Sequence, residues 1–132
     1  MRKTLMMALA TAGVFSIAAP LSAHHSPASW DITKRTNITG EVKDAYFRNP
    51  HGHITLLVKD AKGRVTEWQI EASAANLLRR RGWEFSKIKP GLNATFIGHP
   101  NKTEPRALYL REVRFEDGTG FGDKEGNDKA LD

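Results

Sequence analysis

Residues 53–71, with the sequence HITLLVKDAKGRVTEWQIE, determine the fold because they contain two strands and the turn that joins them. Residues 53–59 are an apolar run rich in β-branched side chains, which is typical of a strand. In residues 65–71 the side chains of Thr66, Trp68 and Ile70 share one face, and the intervening side chains share the other. Residues 60–63 are a turn in which Gly63 accepts a positive φ. The stretch therefore predicts a β-hairpin.

Three more strands are predicted around this hairpin. One precedes it at residues 38–47, and two follow it at residues 93–99 and 107–115. In the last strand the apolar pairs Leu108/Leu110 and Val113/Phe115 are out of phase, which predicts a β-bulge between them.

A helix is predicted between the third and fourth strands. Ser73 is its expected N-cap, the basic residues 79–81 lie in its last turn, and Gly82 ends it. The order strand, strand, strand, helix, strand, strand is typical of an OB-fold barrel. We therefore expect a mostly β protein, a small five-stranded OB-like barrel with one helix between strands 3 and 4.

The two ends of the chain differ in composition from its middle. Arg2 and Lys3 precede a largely apolar, uncharged run at residues 4–19, and Pro20 and Ala23 follow it, as in a cleaved signal peptide. The run is shorter than a span of about 20 residues, although a retained anchor is the alternative. We expect a signal peptide (1–23), an N-terminal arm (24–36), the barrel (37–117) and a disordered tail (118–132). This division predicts a periplasmic mature chain with no membrane span.

The composition excludes several classes of function. Hydrophobic residues make up 39% and charged residues 27% of the 132, which favours one globular domain. The chain has no cysteine, which excludes disulfides, cysteine-ligated metals and thiol catalysis. Removing Arg2 and Lys3 leaves 18 basic and 15 acidic residues, a net charge of +3. That charge is too mild to indicate a nucleic-acid partner.

The histidines are the residues best suited to specific chemistry, and all five follow the predicted cleavage site: His24, His25, His51, His53 and His99. His51 and His53 form an HxH unit at the start of a strand, so both imidazoles face the same way. His99 ends the fourth strand. This distribution predicts a metal site at the barrel rim, and the alternative is unconnected surface histidines.

Cleavage after Ala23 leaves His24 as the N-terminus. Its α-amine and ring Nδ1 can chelate one ion, and an imidazole from elsewhere completes a three-nitrogen site suited to Cu(II). Cleavage one residue earlier gives Ala-His-His, which also binds Cu(II) or Ni(II) through its third residue. We expect copper as the bound ion, in binding or delivery and not in turnover.

The alternative function is a metal-free periplasmic interaction module that holds a peptide, a glycan or a partner protein. Trp30, Tyr46, Arg48 and Arg79 are the aromatic and basic residues expected on its binding face. Glu67 and Glu71, together on one strand face, are interpreted only as part of a solvated surface. No nucleophile–base pair and no acid–base dyad is evident, so we do not expect an enzyme.

Several short motifs occur together in this chain: AHHS at 23–26, NPH at 49–51, WxIE at 68–71, RGW at 81–83, KPG at 89–91 and HP at 99–100. In this combination, over residues 24–118, the chain resembles a family of small exported bacterial proteins classified only as a domain of unknown function. The resemblance implies a Gram-negative periplasmic setting and a compact β-barrel-like domain. It places His24, His25, His51 and His99 at motif positions, and it implies no activity.

Overall fold

A computed structural model describes residues 27–122. Short 3-10 helices precede the first strand at Pro27–Ser29 and follow the α-helix at Phe85–Lys87. The strands and the helix, in chain order, are β1 (Thr36–Tyr46), β2 (Gly52–Lys59), β3 (Val65–Ala72), α1 (Ala75–Arg80), β4 (Asn93–Pro100), β5 (Ala107–Phe115) and β6 (Gly120–Gly122). All five predicted strands are confirmed, and α1 lies between β3 and β4 as predicted.

The sheet closes on itself as a barrel. Its strand order is β3-β2-β1-β4-β5-β6, and β3 also pairs with β5. This last pairing is parallel, and it joins Gln69–Glu71 to Ala107–Tyr109. The first five strands therefore form a closed barrel with the OB-like arrangement that the order of elements predicts.

Strand alternation fills the barrel with apolar side chains. The side chains of Ile54, Leu56, Ile70 and Phe96 are fully buried, as their spacing predicts. Val58 and Trp68 continue the same strand alternation, but they are only partly buried. They lie on the part of the β2–β3 hairpin that extends beyond the pairing of β3 with β5, so fewer strands surround them.

A bulge in β5 confirms the prediction made from its out-of-phase pattern. Ile97 pairs with Glu112 and the next residue, Gly98, pairs with Leu110, so Arg111 is an extra residue on β5. A Cβ added at Gly98 would lie 1.9 Å from the backbone oxygen of Tyr109, so only glycine fits there. The bulge lets the apolar residues on both of its sides face the core.

The helix begins in a different way from the one expected. The N-cap position is occupied by Ala74, and it has no side-chain cap. The Ser73 hydroxyl instead lies 2.8 Å from the Tyr109 hydroxyl in a buried hydrogen bond. The first two helical amides donate to the Arg48 carbonyl, at 3.2 Å, and to Oδ1 of Asn49, at 3.1 Å. The prediction of Ser73 as the N-cap was wrong because the corner before β2 supplies these acceptors from outside the helix.

The described part of the N-terminal arm packs against the barrel. The Asp31 amide donates to the Pro100 carbonyl, and the Lys102 amide donates to the Ser29 carbonyl, each at 2.9 Å. The Trp30 ring contacts the Tyr109 ring with centroids 5.7 Å apart. The arm therefore covers the outer face of β5 next to the end of β4.

The segment after β5 also contains structure that the sequence analysis did not predict. β6 lies within the stretch expected to be disordered, and it pairs with β5. Its Phe121 ring lies 5.7 Å from the Trp83 ring and 5.6 Å from the Phe115 ring, and this apolar contact holds the strand in place. The prediction of a tail from residue 118 was therefore wrong for residues 118–122, and residues 123–132 lie outside the described part of the chain.

Candidate functional site

A cleft of about 510 Å³ lies on the outer face of β3, next to the loop that joins β4 to β5. Its size is in the range of pockets that bind small ligands. Outward-facing side chains of β2 and β3 form one wall, the loop residues 104–107 form another, and Trp30 of the arm closes one end. The β2–β3 face and the β4–β5 loop are the parts of an OB-fold that generally contact ligands.

His51 and His53 both lie beside this β3 wall. Nδ1 of His51 is 3.4 Å from Oε1 of Glu71. Nε2 of His53 donates to Oε1 of Gln69 at 2.5 Å, and the two strands place His53 opposite Glu71. The predicted outward direction of the HxH pair agrees with their surroundings, since His51 is exposed and His53 is half-buried.

Glu71 is the residue of the site whose environment the sequence analysis misjudged. It was interpreted as part of a solvated face, but it is only 9% exposed and faces His51. The HxH spacing and the alternation of β3 are local patterns. The pairing of β2 with β3 is what brings His51 close to Glu71. A hairpin register that placed His53 opposite Glu71 would have revealed the contact.

His99 lies in a different environment. It is 1% exposed, and its ring Nδ1 lies 2.7 Å from the Lys34 carbonyl, so Nδ1–H donates to the arm. It pairs with Tyr109 across the β4–β5 ladder, and it does not line the cleft. The structure therefore brings His51 and His53 together and places His99 under the arm, away from the rim position expected for it.

His24 and His25 lie outside the described residues. Among residues 27–122, no three histidine, aspartate or glutamate side chains are grouped so that they could hold a metal ion.

The four residues expected on a partner-binding face are distributed over separate surfaces. Tyr46 is 40% exposed, its ring stacks on His53, and the Arg48 guanidinium lies 4.5 Å from its centroid. Arg79 lies over the Phe85 ring at 5.0 Å. Trp30 is only 3% exposed and acts as a wall of the cleft. Tyr46 and Arg48 thus form one aromatic–basic surface beside His53.

The carboxyl groups with a clearly lowered pKa lie in turns and not in the cleft. Hydrogen bonds from Thr33 and the nearby Lys34 lower the pKa of Asp31 to about 2. Hydrogen bonds from Arg64 lower the pKa of Asp60, and those from Thr119 lower the pKa of Asp117. These shifts stabilise turns and point to no acid–base chemistry.

The fold and the cleft define the protein as a small closed five-stranded barrel with a polar cleft on its β2–β3 face. The chain belongs to the family of unknown function DUF6152, whose model matches residues 11–108. The resemblance to a domain-of-unknown-function family is thereby confirmed. A search of curated proteins finds no match to the chain. None of the helices in residues 27–122 is long and apolar enough to cross a membrane.

Proposed function

We propose that this domain is an exported protein that binds a transition-metal ion, copper in particular, at the rim of the cleft. The proposed ligands are His24 and His25 from the N-terminus together with His51 and His53. The role is binding or delivery, in the periplasm, with no catalytic turnover. Neutral imidazole is a common ligand for copper, and a site rich in nitrogen favours Cu(II).

The observation that carries this proposal is the way in which each rim imidazole is held. Nε2 of His53 is engaged by Gln69, which leaves its Nδ1 for an ion. Nδ1 of His51 faces Glu71, which leaves its Nε2. Within residues 27–122 neither of these remaining nitrogens has a hydrogen-bond partner. Metal-binding histidines are typically oriented in this manner by a carbonyl or carboxylate on the other ring nitrogen.

The packing of the arm supports a contribution from the N-terminus. Trp30 lines the same cleft as His53 and Glu71. Six peptide units separate His24 from Trp30, so the covalent chain keeps their Cα atoms within roughly 20 Å. His99 is left out of the ligand set because it is buried under the arm and does not line the cleft.

The test is calorimetric titration of Cu(II), and separately of Zn(II), into protein purified after export and processing, with any tag at its C-terminus. We expect one Cu(II) per chain with a submicromolar Kd. An extension of three residues before His24, which puts neither His24 nor His25 at the first or third position of the chain, should weaken binding at least tenfold. The double substitution of His51 and His53 by alanine should weaken it as much. Lys59→Ala, at the far end of the same strand, is the matched control and should leave the Kd unchanged.

Two results would contradict the metal proposal. One is Cu(II) binding no tighter than that of an isolated surface histidine. The other is binding that is insensitive to both the N-terminal extension and the His51/His53 substitutions. Cell fractionation and N-terminal sequencing of the same preparation test the export part of the proposal, which predicts a periplasmic chain that begins at His24 or Ala23.

A second candidate function is a metal-free interaction module, and the cleft is the observation that favours it. The cleft presents carboxylate, amide, imidazole and guanidinium groups together, with Trp30 at one end and Tyr46 and Arg48 just outside. Such a surface suits a polar ligand such as a peptide, a glycan or a segment of a partner protein. Binding of such a ligand with no metal present would favour this candidate.

A further inference from the structure

The barrel is closed by a short seam. β3 is eight residues long, but only Gln69–Glu71 pair with β5. The first half of β3, residues 65–68, pairs with β2 on one side and with no strand in residues 27–122 on the other. Half of β3 is therefore an open sheet edge within an otherwise closed barrel.

Some backbone N–H and C=O groups at this edge point away from β2, to the open side of the sheet. The Gln69 amide donates to the Arg106 carbonyl at 2.9 Å, so Gln69 turns its backbone groups away from β2. In an antiparallel ladder, alternate residues turn their N–H and C=O groups the same way. Glu67 and Val65 therefore direct their backbone N–H and C=O groups away from β2, to the side of β3 on which β5 pairs further along. Outside the β2–β3 ladder, neither amide donates a hydrogen bond within residues 27–122.

The space beside this edge is open and accessible. Val65 is 51% exposed, and Thr66 and Glu67 are also exposed. The cleft lies between Glu67 on the edge and Glu104 and Pro105 on the loop. Its volume leaves room for a segment of extended chain alongside residues 65–67.

The charge of the cleft indicates which segment fits. Glu67, Glu71 and Glu104 line it with one guanidinium, that of Arg106. Lys43 forms an ion pair with Glu67, but both side chains are about half exposed, and exposed pairs of this kind exchange at little cost. A partner with basic side chains is favoured, and the carboxylates disfavour phosphate-bearing ligands.

We propose that an extended peptide segment of a partner protein, carrying lysine or arginine at alternate positions, adds to β3 as a strand at residues 65–67. Backbone hydrogen bonds to Val65 and Glu67 would align it, and its basic side chains would lie against Glu67 and Glu104. This inference rests on the second candidate function, because it names the ligand of the cleft.

The test follows backbone amides by NMR in the exported and processed protein. The probe is an acetylated and amidated octapeptide of alternating lysine and threonine. We expect it to shift the resonances of residues 65–67 and 104–106 and to slow hydrogen exchange at the Glu67 amide. Three comparison ligands are a glutamate–threonine octapeptide, the lysine–threonine octapeptide methylated at every backbone nitrogen, which lacks backbone donors, and maltotriose.

Variants of the edge separate backbone from charge effects. Glu67→Pro removes the carboxylate together with a backbone donor that faces away from β2, and it leaves the ladder to β2 intact. It should therefore weaken peptide binding about tenfold, about fivefold of which is the value of one hydrogen bond. Glu67→Gln keeps the donor and should weaken binding about twofold. Glu84→Gln, an exposed carboxylate that does not line the cleft, is the matched control and should change nothing.

Equal binding of the lysine–threonine peptide and its N-methylated form would overturn the inference, even if Glu67→Pro failed to fold. Shifts in the cleft with maltotriose but not with the peptide would also overturn it, while the second candidate function would stand. No cleft shift with any probe would reject both. The copper proposal is judged separately, by calorimetry on the same protein.

Discussion

His99 and the pair His51 and His53 show how one residue type acquires two roles in the same barrel. His99 is 1% exposed and is hydrogen-bonded to the arm, whereas His51 is exposed and His53 half-buried beside a cleft. The buried histidine joins two segments of the fold, and the exposed pair keeps ring nitrogens available for a ligand. Strand-end position does not distinguish them, because the difference comes from what covers each ring.

The largest expected effect concerns the arm that covers His99. Trp30→Ala should lower the free energy of unfolding by about 3 kcal/mol, because it removes a buried indole that packs against Tyr109. Ile32→Ala on the same arm is the control, since Ile32 is 58% exposed, and it should cost about 0.5 kcal/mol or less. Urea denaturation measures both, and equal costs would mean that the arm contributes little to stability.

The comparison of the histidines themselves gives the next effect. His99→Ala should lower the free energy of unfolding by about 2 kcal/mol, because it removes a buried ring and its hydrogen bond to the Lys34 carbonyl. His51→Ala and His53→Ala should each change stability by about 0.5 kcal/mol or less. Urea denaturation measures the three costs. A loss of stability in His51→Ala or His53→Ala as large as that in His99→Ala would show that the rim histidine has a structural role.

A smaller effect is expected at the buried hydrogen bond between Ser73, just before the helix, and Tyr109. Ser73→Ala should cost about 1 kcal/mol, because it removes the partner of the Tyr109 hydroxyl at 2.8 Å. In a double-mutant cycle with Tyr109→Phe, the two costs should not add, since both changes remove the same hydrogen bond. Full additivity in urea denaturation would show that the contact contributes nothing.

The smallest effect is the pH dependence of folding stability that arises from Asp31 in the arm. The folded pKa of Asp31, about 2, is below its ordinary value of 3.8, so its ionised form stabilises the folded state. That contribution is present above the ordinary value and is lost as the pH falls through the folded value. NMR titration of the Asp31 carboxyl group should give a midpoint near 2. A midpoint near 3.8 would mean that the hydrogen bonds from Thr33 do not persist in solution.

The alternation of residues 53–71 and the phase break in β5 are local patterns, so both the hairpin and the bulge could be predicted from the sequence. The start of the helix could not, because Arg48 and Asn49 reach it from another part of the chain. β6 was missed for a related reason, since the Gly- and Asp-rich composition around it gives no sign that Phe121 packs on Trp83.

The candidate site divides in the same way. The two-residue spacing of His51 and His53 predicted a shared outward direction, because strand geometry makes that direction a local property. The burial of His99 under the arm and the contact of Glu71 with His51 depend on chain segments that are distant in sequence. By itself, the sequence determined the five barrel strands, the helix, the order of these elements and most of the apolar interior. Only the tertiary structure decided which histidines are covered and where the sheet edge stays open, because burial and closure depend on long-range packing.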